Sequence, residues 1–426
     1  MIKRYLKSIM FLAMGAMVSV GFASCSDDDD NNKKDELSAK ETRMESIAQQ
    51  YLNNTVNLTY GELAVQTGQL FDKLSALTAK FKADSMSVTQ AEIDDICKTF
   101  LEARSEYEES EAFLYGAATD FGIDPHIDTW PLDLDGLATS LSNSAQVANL
   151  DIDAAGSWDS GIAYAAGKLG QELLGFHGIE FIIFRNGQNR TVASLRANEA
   201  DAAFAGKTVT GRQELIYATA VAGDLRDRCW QMEVSWNENA PQEHKERVEE
   251  LEIPYTVAGS NRSYTQNMLG AGKAGSSYET WAEVMTTILI SGCQNISNEV
   301  AMVKIGNPYS GEDVNYIESP YSHKSFVDFK DNLISIQNSL YGGRNENGKR
   351  DESKSMIRYM KDYNYPNVAA LESSLADAIA ALDNCQNTLH SFVGHINDPL
   401  VGVAQQKVKD LDTQLTQAGE WFATQH

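Results

Sequence analysis

Apolar residues recurring at helical intervals constrain this chain most. Leu63, Leu70, Leu74, Leu77 and Phe81 are separated by seven, four, three and four residues, which places them on one face of a helix. Leu371, Leu375, Ala378, Leu382, Cys385, Leu389 and Phe392 repeat the pattern, and Val408, Leu411, Leu415, Ala418 and Phe422 repeat it after a break at Asn397-Asp398-Pro399. Two such stripes joined by a short turn predict an antiparallel helical hairpin, since each apolar face needs a partner to cover it. Strand-like runs are short and isolated, at residues 207–210 and 253–257. The expected fold class is therefore all-α. Its length suggests two helical-bundle lobes, 37–208 and 209–426, with a boundary near residues 206–211 and long connections at 119–155 and 306–321. A duplicated bundle would fit that length.

The N-terminus adds an address. Lys3, Arg4 and Lys7 precede an apolar run over residues 9–22, and the small residues Ala23 and Ser24 stand before Cys25. This reads as a signal peptide, 1–24, ending on a lipobox whose Cys25 would be lipidated, although Phe22 stands where leucine is usual. Residues 25–36 form an acidic stretch, Asp27 to Asp30 foremost, that cannot bury apolar surface and is expected to be a disordered tether. Its Ser-Asp-Asp-Asp-Asp start resembles the export tag of surface lipoproteins in some Gram-negative bacteria, so the expected location is the outer membrane, facing the periplasm or the cell surface. No other apolar run approaches the roughly 18 residues that a membrane span requires, which leaves the lipid as the membrane anchor.

Charge narrows the partners. The chain carries a net charge of -25, and loss of the three basic residues of the signal peptide would leave 32 basic against 60 acidic residues, or -28. Nucleic acid is excluded as an expected partner, because phosphate binding needs a basic face. Cys97, Cys229, Cys293 and Cys385 show no Cys-x-x-Cys spacing, so both disulfides and buried thiols stay open.

One segment carries chemistry. From Leu173 to Phe184 everything is apolar or glycine except His177 and Glu180, which lie three residues apart and project from one face of a helix that is otherwise oily all round. A buried carboxylate is costly unless paired, protonated or bound to a metal. An imidazole and a carboxylate at this spacing can ligate one metal ion; the alternative is a core histidine satisfied by its neighbouring glutamate. Gly175 and Gly178 each weaken the helix by about 1 kcal/mol relative to alanine, which is tolerated where another backbone or a ligand comes close.

Gly175-Phe176-His177-Gly178-Ile179-Glu180 resembles the Gly-x-His-x-x-Glu signature of the imelysin-like family, also classified as peptidase family M75. Upstream, Ala103-Arg104, Tyr107, Glu111-Ala112-Phe113-Leu114-Tyr115-Gly116 and Trp130-Pro131-Leu132-Asp133 resemble the family's second segment in the same order. Arg104, Tyr107, Glu108 and Glu111 also fall on one helical face. Ser322-His323-Lys324 and Tyr341-Gly342-Gly343 resemble the C-terminal half only loosely, and His323 reads as a surface histidine. The resemblance implies a two-lobed helical fold with a site around His177 and Glu180, with Glu111 as a further metal ligand and Arg104, Trp130 and Asp133 in support. It also implies a role in bacterial iron uptake.

The expected function is thus non-catalytic capture of iron, or of an iron-bearing ligand such as haem, for envelope iron-transport components. Copper and zinc are alternative metals. A metallopeptidase is the second reading, but neither His-Glu-x-x-His nor its inverse occurs, and Glu180 cannot readily be both ligand and base. A glycan- or protein-binding module is the third, permitted by the loop aromatics Trp130, Tyr115 and Trp236. No Gly-x-Ser-x-Gly elbow is present, and the glycines at 270–275 lack a Walker loop's hydroxyl after Lys273.

Overall fold

Leu63, Leu70, Leu74, Leu77 and Phe81 are all buried along a single helix, as are Val408, Leu411, Leu415, Ala418 and Phe422 along the last one. The computed structural model describes residues 27–345 and 350–425, with residues 27–35 described by their backbone only, so the signal sequence and Cys25 lie outside the described residues. Two compact units are distinguished, one ending at Lys40 and the other comprising residues 41–426. In the first, residues 27–40 are helical, although a disordered tether was expected over 25–36; once a helix is nucleated, each added turn costs little.

The helices that frame the core and the site are α1 (Asp27–Tyr51), α2 (Asn57–Ala83), α3 (Gln90–Glu108), α4 (Gly175–Ile183), α5 (Gly211–Trp236), α6 (Ser325–Tyr341), α7 (Val368–Leu389) and α8 (Pro399–Phe422). Within residues 41–426, α2 packs along α5 and α3, α5 packs on α4, and α3 also meets α6. The expected hairpin is α7 against α8, and α6 covers α7. Its turn ends as the sequence suggests: Asp398 caps α8 by accepting from the Leu400 amide, and Pro399 takes the first helical position, where no amide donor is needed.

Neither expected strand forms. Thr210 makes only an isolated bridge to Asn198, and residues 253–257 are irregular. The short ladder instead pairs β1 (Phe184–Arg185) with β2 (Gln188–Asn189) across Asn186-Gly187, both at positive φ, the turn that such a dipeptide favours. The connection expected at 119–155 is broken into the short helices Asp124–Ile127, Leu134–Ser142 and Ser144–Leu150. Cys97, Cys229, Cys293 and Cys385 are buried free thiols. No helix among the described residues is long and apolar enough to cross a membrane.

Candidate metal site

Every residue of α4 is buried, because α3 and α5 pack on it. Its two motif glycines answer to two neighbours. Gly175 opens the helix at φ +67° with its Cα against the Ile127 carbonyl, a contact that any Cβ would block, so the turn carrying Asp128 closes directly onto α4. Gly178 makes room for the Tyr217 hydroxyl of α5, which donates to the Leu173 carbonyl at 2.6 Å.

That packing brings the expected pair together. His177 Nδ1 lies 3.5 Å from Glu180 Oε2, and His177 Nε2 lies 3.2 Å from Asp128 Oδ1; His177 and Glu180 are each only 1% exposed. The two oxygens of Glu180 have different fates. Oε1 accepts from the Ser322 amide and hydroxyl, both at 2.7 Å, and from the Tyr321 amide at 3.2 Å. Oε2 and both imidazole nitrogens have no aligned hydrogen-bond partner. Buried polar atoms are seldom left so; Nδ1 and Glu180 Oε2 face each other on one edge of the ring, where a cation would satisfy both, while Nε2 on the opposite edge faces Asp128.

Asp128 joins this pair to a larger group. Arg104 on α3 grips Asp128 through Nη1, and its Nη2 contacts Glu108 one turn along and Glu318 at 2.6 Å. Lys304, with no exposed surface, places Nζ 2.9 Å from Glu111 Oε2 and 3.1 Å from Glu318 Oε1. One oxygen each from Glu108, Glu111, Asp128 and Glu318 fall within 4.8 Å of one another. Trp130 covers the group: its ring centroid is 6.0 Å from that of His177, 5.2 Å from that of Tyr316, and 5.4 Å from Lys304 Nζ.

The charges do not balance. Glu108, Glu111, Asp128, Glu180, Glu318 and Asp328 are all buried, against Arg104 and Lys304 as permanent cations. Burial pushes the Glu318 carboxyl up to about 8 and raises those of Glu111 and Asp328 well above the usual range, Lys304 opposing this at Glu111. Asp128 behaves oppositely: burial would raise it, but Arg104 and His177 hold it below the ordinary value. Burial alone would lower His177; the Asp128 and Glu180 carboxylates outweigh it and lift the imidazole to about 9.

His177, Glu180, Glu111, Arg104 and Trp130 thus occupy one buried region, though Glu111 is engaged by Lys304 and reaches the His177 pair only through Asp128. Asp133, expected in support, is an exposed N-cap accepting from the Gly136 amide at 2.9 Å; it satisfies its own helix, not the site. Asp128, Glu318, Lys304 and Ser322 were not expected. Lys304 had a signal, being the one charge in Val300-Ala301-Met302-Val303-Lys304-Ile305.

The comparisons agree with this architecture. A family model described as Imelysin (Peptidase_M75) matches residues 59–418. An iron-regulated protein A of Synechococcus elongatus is 24% identical over 258 residues, covering 61% of this chain and 55% of that relative. A protein from Parabacteroides distasonis described as an iron-regulated protein A precursor superposes with a TM-score of 0.68 at 21% identity, over 90% of this chain and 95% of its own. An imelysin-like protein from Psychrobacter arcticum superposes with a TM-score of 0.52 at 14% identity, over 90% and 94%. With a match across most of its length and the expected all-helical fold, the chain belongs to the imelysin family.

Proposed function

We propose that this protein is a non-catalytic metal-binding protein of the cell envelope, with iron as its cargo, with His177 Nδ1 and Glu180 as the groups that hold it and with Asp128 orienting the ring from its Nε2 edge. One observation carries the reading: His177 Nδ1 and Glu180 Oε2, both buried and without an aligned hydrogen bond, face each other at 3.5 Å beside an excess of buried acid. A hard cation with a tolerance for nitrogen, such as iron, suits an imidazole and a carboxylate, and copper or zinc would compete. Ser322 and Tyr321 fix the Glu180 oxygen that faces away from His177, and Arg104 fixes Asp128, so the pair is oriented before a metal arrives. The iron-regulated names of the relatives support iron over the other metals.

The anchor belongs to the same proposal: Cys25 carries a lipid, the protein works at the outer membrane, and transport components receive the metal. A bare ion fits the site better than haem, because His177 and Glu180 are sealed and only Trp130 and Tyr316 stand partly exposed above them. A peptidase finds less support, since Glu180 has one oxygen saturated by three donors and no open face for a peptide. Neither does a glycan-binding role gain from Trp130, whose ring is packed against Tyr316 and His177.

Titration of chelator-treated protein with ferrous iron under nitrogen, with copper or with zinc, followed by isothermal calorimetry, tests the proposal. A saturable change at one metal per chain is expected, with affinity falling at least a hundredfold in His177→Ala and Glu180→Ala, both still helical by circular dichroism. Unchanged affinity in those variants would reject it.

A further inference from the structure

Lys304 terminates a π-helical turn, Val300–Lys304, and has no exposed surface. Its ammonium makes ion pairs only with carboxylates: Glu111 at 2.9 and 3.0 Å, Glu318 at 3.1 Å and Glu108 at 3.6 Å. Those three acids, with Asp128, present four oxygens within 4.8 Å of one another, the spacing of a cation's coordination shell. Even with Lys304 among them the acids are not saturated: Glu318 Oε2 is buried without a hydrogen-bond partner, and so is the Asn332 Oδ1 of the amide that donates to Glu108 at 2.6 Å. Asp128 belongs to both groups, touching His177 on one side and counted among the four acids on the other.

We infer that Lys304 is a tethered stand-in for a second metal ion: its ammonium occupies a cation position among Glu108, Glu111 and Glu318, next to the His177–Glu180 pair, and limits the protein to one metal per chain. The cation position itself stands apart from the function proposed above; the count of one for the unaltered chain rests on that reading. A cation carried on the chain's own backbone loses no translational freedom on binding, whereas a divalent ion from solution does. To enter, that ion would also have to leave a buried ammonium without its partners, a strongly unfavourable exchange. Replacing Lys304 with an uncharged chain of similar length removes the cation that holds Glu111, leaves Arg104 on Asp128, Glu108 and Glu318, and frees the oxygens that faced the ammonium as hard ligands suited to manganese or magnesium.

The test counts manganous ions bound by the chelator-treated protein, using the loss of the free Mn²⁺ electron paramagnetic resonance signal. The unaltered protein and Lys304→Arg, which keeps a positive charge, are expected to bind one ion per chain. Lys304→Met is expected to bind two, and His177→Ala combined with Lys304→Met is expected to bind one. Unaltered protein that binds none while Lys304→Met binds one would sink the His177 reading and leave this inference standing. A folded Lys304→Met with the same count as the unaltered protein overturns the inference, and so does a second ion in Lys304→Arg. Should Lys304→Met be unfolded without metal, manganese is expected to restore its helical signal; where it does not, Lys304→Gln, whose amide can still donate to Glu111 and Glu318, supplies the count, and an unchanged number there overturns the inference.

Discussion

Replacing Arg104 with methionine is expected to destabilise the metal-free protein by about 3–5 kcal/mol, the cost of removing one member of a buried ionic group. Arg104 contacts all three of Asp128, Glu108 and Glu318, and its guanidinium lies over the rings of Tyr107 and Phe176 at 5.5 and 5.1 Å. Methionine keeps much of the packing volume but leaves three buried carboxylates beside each other with Lys304 as their remaining permanent cation. Lysine would not substitute, because a single ammonium cannot span both Asp128 and Glu318 as the forked guanidinium does. Chemical denaturation with a chelator present measures the loss. A change below about 1 kcal/mol would mean that the carboxylates are protonated and indifferent to Arg104.

The second large effect is a loss of stability with rising pH. Burial holds Asp124 up at about 6, Asp331 at about 7 and Glu318 at about 8, so between the ordinary carboxylate range and these values the folded state binds protons that the unfolded chain has released. Folding is therefore favoured at the acid end of that window and weakened as pH rises through it. His177 has the same sign: held at about 9, its contribution is complete below its ordinary value near 6.5 and is lost as pH climbs through 9. Glu199 opposes only under strong acid, because its hydrogen bond with Glu214, together with Arg185 and Arg190, outweighs its burial and holds it at about 2. The melting temperature of chelator-treated protein is accordingly expected to fall by several degrees between about pH 5 and about pH 9, and a saturating metal is expected to flatten the slope by neutralising the acids. A melting temperature that rises over this range would show the cluster to be fully ionised and paired.

The periodic helices were legible because each offers one face to the core. α2, α7 and α8 announce themselves in their leucines. α5 does not, although it is the most enclosed long helix, and the reason is its surroundings. Packed by neighbours on several sides, it has no single apolar stripe, and it buries Glu214, Asp224, Asp227 and Glu233 by pairing them with Arg190, His126, Arg247 and His244. Those partners come from distant segments, so composition alone makes α5 look like a polar stretch.

The site divides the same way. His177 and Glu180 stand out because two polar residues interrupt an apolar run at helical spacing. Asp128, Glu318 and Lys304 lie on three other segments and acquire meaning only when the chain brings them together; Lys304 and Glu111 are 193 positions apart. Asp133 shows the converse, a residue matched to a motif whose side chain is committed to capping the helix it precedes.

Crystals grown with iron and measured at the iron absorption edge examine the central claim most directly. The account predicts an anomalous peak within bonding distance of His177 Nδ1 and of a carboxylate oxygen of Glu180. Iron bound in stoichiometric amount but placed elsewhere, with His177 still facing Glu180 across an undisturbed core, would contradict it.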